Sequence, residues 1–241
     1  MNSDSNHANC RRFAKAPIVI GGCPRSGTTL LLSMISAHPY VFAIEEEAWA
    51  FYDTHDLDEF SGFLDKWLWP RIPAGTEKVY QRWCEKTPRN IFAFRNIITF
   101  FGPDARLINI IRDGRDVVLS RHPRDPGKYW VEDWMWVWSV TEGLLYRDHP
   151  QVLTVLYEDL IHNFAREIEG ICDFISEPCS EEIINWFENK TILSHSAWQN
   201  GARPLYKDSI GKWKHHKDEE VIQKFMRNDE AVSLLKLMGY S

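Results

Sequence analysis

Apolar residues in this chain fall into short solid runs, separated by stretches in which they recur every three or four positions. Ile18, Val19 and Ile20 form a β-branched run of the kind a strand buried on both faces requires. Gly21, Gly22 and Pro24 end it with turn chemistry, and Thr28 through Ala37 then predicts a helix, with Leu31, Leu32 and Ile35 at helical spacing. Val41 to Ile44 reads as a second strand. Residues 45–83 mix Trp, Pro and acidic residues and predict an irregular-to-helical cover over a site. A helix is expected from Ile91 to Phe101, a strand from Arg106 to Ile111, a helix from about Asp116, a Trp-rich helix over roughly 130–147 and a strand over 151–156. Helices follow over about 163–175, 180–189 and 218–238. Alternating strands and helices predict an α/β fold with a central parallel sheet flanked by helices. Residues 1–15 read as a flexible polar tail and 16–241 as a single domain, since no repeat or linker divides them.

Composition narrows the partners. The 241 residues are 44% hydrophobic and 26% charged, a globular balance, and a chain of this length buries roughly 70–75% of its unfolded surface. With 28 Lys and Arg against 34 Asp and Glu the net charge is −6, which argues against a general nucleic-acid or anionic-membrane binder while allowing a local basic pocket. No run of about 18 apolar residues predicts a membrane span, and Met1 to Lys15 lacks the apolar stretch of a secretory signal. The expectation is a soluble cytoplasmic protein. Its five cysteines are scattered without C-x-x-C spacing, which predicts buried thiols and no metal site.

The chemistry starts at Gly22-Cys-Pro-Arg-Ser-Gly27-Thr28-Thr29, where a glycine-rich turn joins a strand to a helix. Backbone N–H groups there, with a helix N-terminus behind them, suit phosphate oxygens. Gly27 admits close approach of an anion, Ser26, Thr28 and Thr29 add hydroxyl donors, and Arg25 adds a guanidinium fork. The Walker pattern G-x-x-x-x-G-K-[ST] is met at Gly22 and Gly27, but Thr28 stands where its Lys belongs. That weakens a kinase or NTPase reading, because a triphosphate's charge demands the Lys and Mg²⁺. A sulfuryl group carries less charge and can be transferred without a metal. In Ile110-Ile-Arg-Asp-Gly-Arg-Asp116, Arg112 follows a strand and projects from the sheet's carboxyl edge, where α/β ligands bind. Asp113 and Asp116 would repel an anion, so structural hydrogen bonds or salt bridges are expected of them.

The run CPRSGTTLL after an apolar strand resembles the 5′-phosphosulfate loop of the PAPS-dependent sulfotransferases, whose P-loop NTPase-like fold is then implied. By that resemblance residues Pro24 to Thr29 hold the phosphosulfate of PAPS (3′-phosphoadenylyl sulfate), with PAP as product and no metal. Arg112 and Ser120 have the spacing of the family's 3′-phosphate element, with Arg124 a further candidate. VLYEDL (155–160) resembles the element in which a Tyr contacts the adenine, nominating Tyr157. IGKWKHH (210–216) resembles the late basic loop, nominating Lys212 for a phosphate and Trp213 as its brace.

PRSGTTL, AHP, EE and RDGR are most similar to the tyrosylprotein sulfotransferase branch. That likeness implies Arg25 and Lys86 as catalytic cations and Glu46, within Glu45-Glu46-Glu47, as the general base. A carboxylate near Ala48, Trp49 and Phe51 would have a raised pKa. His38 is the rival base, though a His before Pro at a helix end also reads as a cap, and His122 comes third. The branch carries arginines for acidic peptides two and six residues past the Glu, where this chain has Ala48 and Tyr52. The implied acceptor is therefore a carbohydrate, alcohol, phenol or amine-bearing small molecule rather than peptidyl tyrosine. A PAPS- or PAP-binding sensor without turnover stays open as an alternative, as does a nucleotide kinase of related fold. Of the 11 Trp, Trp49, Trp67, Trp69 and Trp83 fall in the cover, where they either line the acceptor site or pack. Trp130, Trp134 and Trp138 recur every four residues, a stripe expected to face the core.

Overall fold

The computed structural model describes residues 12–51, 54, 56–196, 203–205 and 207–240. Five parallel strands, β1 (Ile18–Gly22), β2 (Val41–Ala43), β3 (Arg82–Lys86), β4 (Arg106–Ile111) and β5 (Val152–Leu156), form one sheet in the order β2-β3-β1-β4-β5. From β1 the chain runs to the sheet edge at β2, returns to β3 beside β1, then crosses to β4 and β5 on the other side. Ile20 faces Lys86 in the β1/β3 register, and Gly22 faces Ile110 in β1/β4. A crevice opens at such a reversal, beyond the carboxyl ends of the strands.

The helices are α1 (Thr28–Ile35), α2 (Leu57–Phe63), α3 (Phe94–Phe101), α4 (Gly114–Val118), α5 (Asp133–Leu144), α6 (Tyr157–His162), α7 (Phe164–Ile175), α8 (Glu181–Ile184), α9 (Trp186–Asn189), α10 (Glu219–Met226) and α11 (Asp229–Leu237). The sheet has core on both faces. Leu31, Leu32 and Ile35 of α1 join Ile168, Ile171 and Cys172 of α7 in one cluster with Ile18 and Ile20. Phe94 and Ile97 of α3 join Phe51, Phe60, Leu64 and Trp83 in the other, with Val19 and Leu107. Phe225, Ala231 and Leu235 close a third around Trp136.

The strand β3 is absent from the reading of the sequence, because Arg82-Trp-Cys-Glu-Lys86 is neither an apolar run nor a clean alternation. All five residues are nevertheless buried. Arg82 donates to the carbonyls of Ala16 and Ile175 and pairs with the buried Glu177 at 3.5 Å. Pairing of this kind lets charge enter an interior that would otherwise exclude it. The predicted helix over 180–189 breaks into α8 and α9, and that over 218–238 breaks at Asn228, which caps α11 through the N–H groups of Glu230 and Ala231. The predicted tail also differs. Phe13 is buried, Arg12 pairs with Glu77 at 3.1 Å and Lys15 with Glu177 at 2.8 Å, so residues 12–15 dock on the domain; residues 1–11, with Cys10, lie outside the described residues.

The Trp-rich helix corrects the expected stripe. Trp134 and Trp138 are 55% and 57% exposed, and the side chain facing the core is Trp136, fully buried, whose Nε1 donates to the Arg112 carbonyl at 2.9 Å. In the cover, Trp83 is core and Trp69 packs edge-on against it, while Trp49 and Trp67 are exposed. Among the described residues no helix is long and apolar enough to cross a membrane.

Candidate active site

The loop Gly22–Thr29 is shaped by close packing. Gly22 has φ +142°, and a Cβ there would stand 2.4 Å from the Ile110 carbonyl oxygen. Gly27 has φ +100°, caps α1, and a Cβ there would stand 2.5 Å from the Tyr157 ring. Between them Arg25 adopts φ 70°, a left-handed conformation that costs a non-glycine residue about 1–3 kcal/mol and tends to mark functional turns. Cys23 lies beneath the loop, fully buried, with its thiol pushed up to about 12 by desolvation.

Three cations converge on this loop. Arg112, leaving β4, donates from Nη1 to the Arg25 carbonyl at 3.1 Å and from Nη2 to the Ser209 carbonyl, with its guanidinium 4.6 Å from the Tyr157 ring centroid. Burial lowers the Lys212 pKa, and repulsion from Arg112 and from Arg25 adds to that, against an opposing pull from Asp116. Like charges held this close want an anion between them. Two buried donors point the same way: Ser26 Oγ and Arg112 Nε have no hydrogen-bond partner among the described residues. The residues present therefore fit a phosphosulfate and a second phosphate.

The neighbours of this site are placed by structural bonds. Asp113 caps α4 through the Arg115 N–H and pairs with its guanidinium at 2.8 Å, and Asp116 accepts from Gly211 and Trp213 N–H groups, as expected of both. Trp213 lies under the Arg115 guanidinium, 3.8 Å from ring centroid to Cζ. Ser120 Oγ donates to the Asp116 carbonyl, Tyr157 OH to Ser209 Oγ at 2.8 Å, and Arg124 is exposed. Tyr157 thus sits buried beneath Gly27 and Arg112.

Across the crevice, the last residue of β3 meets the acidic run that follows β2. The Lys86 side chain is enclosed, and its Nζ donates to Glu47 Oε1 at 2.6 Å and lies 3.2 Å from His195 Nε2. Burial lowers the Lys86 pKa while Glu47 opposes it. Glu46 is exposed and accepts from the Ser196 N–H at 3.0 Å and its hydroxyl at 2.9 Å. Here the expected raised pKa is corrected. Partial burial works upward, but the two bonds from Ser196, with the charge of Lys86, hold the Glu46 carboxyl below its ordinary range. The group raised by burial is Glu85, which accepts from Ala48 N–H at 2.9 Å, Thr87 Oγ1 at 2.6 Å and Asn90 Nδ2 at 2.7 Å. Thr87 Oγ1 also accepts from the N–H of Trp49, whose φ of 54° is strained for a bulky residue. Glu85 thereby anchors the loop that presents Glu46, Glu47 and Trp49.

His38 lies elsewhere, fully buried, with Nε2 2.9 Å from the Pro178 carbonyl and Nδ1 accepting from Tyr40 N–H. Burial lowers its pKa. His122 accepts from the backbone of Arg124 and Asp125 in an exposed turn. Glu85 and His195 are absent from the reading of the sequence: the first sits in the unread strand, and the second in a stretch, TILSHSAW, without motif or periodicity. Tyr52 and Trp198 lie outside the described residues.

A family profile described as a sulfotransferase domain matches residues 15–231. The chain is 26% identical over 278 aligned positions to the protein-tyrosine sulfotransferase 2 of Gallus gallus, covering 98% of this chain and 73% of that one. It is 23% identical over 260 positions to the sulfotransferase 1E1 of Bos taurus, covering 90% and 84%. Among solved structures, the sulfotransferase domain of the curacin biosynthetic pathway superposes with a TM-score of 0.65 at 14% identity, over 94% of this chain and 99% of that one. A mouse sulfotransferase complexed with PAP superposes at 0.56 and 18% identity, over 100% and 95%. At such identities the superpositions speak for the fold.

Proposed function

Because the chain belongs to the sulfotransferase family and is a PAPS-dependent sulfotransferase, we propose that it moves a sulfuryl group onto the hydroxyl or amine of a carbohydrate, alcohol or phenol. The convergence of Arg25, Arg112 and Lys212 on a loop with two unpaired buried donors carries the donor half of this reading. Pro24, Arg25, Ser26, Gly27, Thr28 and Thr29 would hold the phosphosulfate, and Arg112, Ser120 and Lys212, with Arg124 at the exposed edge, the 3′-phosphate. Tyr157 supports the loop on the adenine side, and Trp213 braces the basic turn against Arg115. PAPS when bound supplies the sulfuryl group and a bridging oxygen on which negative charge gathers. Arg25 and Lys86 set positive charge at that end of the crevice before reaction begins, which lowers the barrier without reorganisation. Glu46, ionised at neutral pH, accepts the proton of the attacking hydroxyl. With its pKa held low, it is a weak base that orients the hydroxyl in the ground state and takes the proton late.

The acceptor half rests on Ala48 and the exposed Trp49 beside Glu46 and Glu47. No arginine follows at Ala48 to favour an acidic peptide, and an indole suits a sugar face or an aromatic ring. The test is equilibrium binding of PAP and ATP with and without Mg²⁺, followed by labelled sulfate transfer from PAPS to a panel of sugars, alcohols, phenols and tyrosyl peptides. Tight, Mg²⁺-independent PAP binding and transfer to a non-peptide hydroxyl are expected. Transfer only to acidic tyrosyl peptides would overturn the acceptor assignment. PAP binding with no transfer at all would favour a sensor, and tight ATP–Mg²⁺ binding without PAP affinity a kinase.

A further inference from the structure

The segment Ser194-His195-Ser196 closes against the acidic run residue by residue. Ser194 Oγ donates to Glu45 Oε1 at 3.2 Å, and Ser196 donates twice to Glu46. His195, between them, turns inward: its side chain is fully enclosed, with Nε2 3.2 Å from Lys86 Nζ and 3.9 Å from Glu46 Oε2. We propose that His195 is a positioning residue for Lys86, accepting a hydrogen bond from the ammonium through Nε2 and fixing it, with Glu47, at the carboxyl end of β3. The proposal rests on the reading of Lys86 as a catalytic cation.

The donor inventory decides the direction of the bond. An ammonium only donates, so Nε2 must be the bare nitrogen and the ring proton must sit on Nδ1. Among the described residues, the charged groups that face the ring include Lys86, Glu46 and, through Lys86, Glu47; burial and then Lys86 lower the His195 pKa to about 4, with Glu46 opposing. The ring is thus uncharged at neutral pH. That neutrality matters. Glu47 holds Lys86 while offsetting part of its charge, whereas the neutral imidazole adds direction without offsetting any more of it. A lysine on a four-carbon stem is otherwise a poorly directed point charge, and preorganised charge is what stabilises a leaving oxygen.

Long-range ¹H–¹⁵N NMR of the labelled full-length protein, with His195 assigned from its missing signals in His195→Gln, reads the bond without any turnover. Expected are the Nδ1–H tautomer at pH 7, a midpoint near 4, and a rise of that midpoint in Lys86→Met, where the repelling charge is gone. An Nε2–H tautomer at pH 7, or a midpoint indifferent to Lys86→Met, would overturn the proposal. With an acceptor in hand, His195→Leu should lower kcat by on the order of 10²-fold at unchanged KM for PAPS and unchanged PAP affinity, and His195→Gln, whose amide oxygen can take the same bond, should recover most of it. Wild-type kcat in His195→Leu would equally overturn it. Should His195→Leu fail to fold, the wild-type tautomer decides alone. If no acceptor is ever sulfated, the functional reading fails while the NMR result still settles the Lys86–His195 bond.

Discussion

Single atoms govern the donor loop. Gly27 must lack a Cβ both for its positive φ and because one would enter the Tyr157 ring. Gly27→Ala is therefore expected to lose about 1–3 kcal/mol of stability from overpacking and most PAP affinity, read by urea denaturation and calorimetric titration; wild-type values in both would remove the close-packing argument. Glu46→Gln should lower turnover by roughly 10²–10⁴-fold, the scale of general-base catalysis, with PAP affinity unchanged, in a rapid-mixing sulfate-transfer assay. These groups were legible in the sequence because Gly22, Arg25, Gly27 and Arg112 occur in a local pattern whose chemistry is also local. Glu85 and His195 were not, since Glu85 holds the loop through the N–H of Ala48, 37 positions away, and His195 meets Lys86, 109 positions away. Nor was the Glu46 pKa: its apolar sequence neighbours suggested burial, and only the fold brings Ser196 onto it.

At the level of elements, patterning failed where burial is polar or where a helix is buried from an unexpected side. The pattern of β3 does not reveal a buried strand because Arg82, Glu85 and Lys86 enter the interior as paired or hydrogen-bonded groups. In α5 the spacing of Trp130, Trp134 and Trp138 suggested a core stripe, yet Trp136 meets Phe225 and the Arg112 carbonyl inside. The two faces should separate on mutation. Trp136→Ala is expected to cost about 3–5 kcal/mol, as for other buried aromatics, whereas Trp138→Ser should stay within about 0.5 kcal/mol of wild type. Chemical denaturation of the pair checks this, and equal losses would put Trp138 in the core after all. The near-continuous apolar runs of β1 and β4 make both strands legible in the sequence, since a doubly covered parallel strand tolerates such runs.

For the molecule as a whole, Arg25, Glu46, Lys86, Arg112 and Tyr157 lie at or just beyond the carboxyl ends of β1 to β5 in turn, and stability should respond to what binds there. PAP at a hundred times its dissociation constant is expected to add about 2.7 kcal/mol. For a chain of this size that raises Tm by roughly 5–11 °C. In a calorimetric scan at the same PAP concentration, Arg112→Ala should lose most of the rise. Stability should also fall in mild acid. His38 and His195 are held neutral, with pKa values below those of an unfolded chain. Between about pH 6.5 and those lowered values the unfolded state binds more protons, and each ring costs at most about 1.4 kcal/mol per pH unit. The urea midpoint should drop from pH 7 to pH 5, and drop less in His38→Gln; an equal drop would mean His38 does not titrate on unfolding.

Cys23, seated under the loop, has a further consequence. Thiols react as thiolates, and a buried thiol pushed up to about 12 offers almost none at neutral pH. Cys84 and Cys172 are likewise buried with raised values, which leaves Cys179 as the more accessible of the described thiols. The loop Gly22–Thr29 is therefore expected to keep its function under peroxide or a cysteine-directed electrophile as far as Cys23 is concerned, and any such sensitivity of the protein is to be sought at a more accessible thiol.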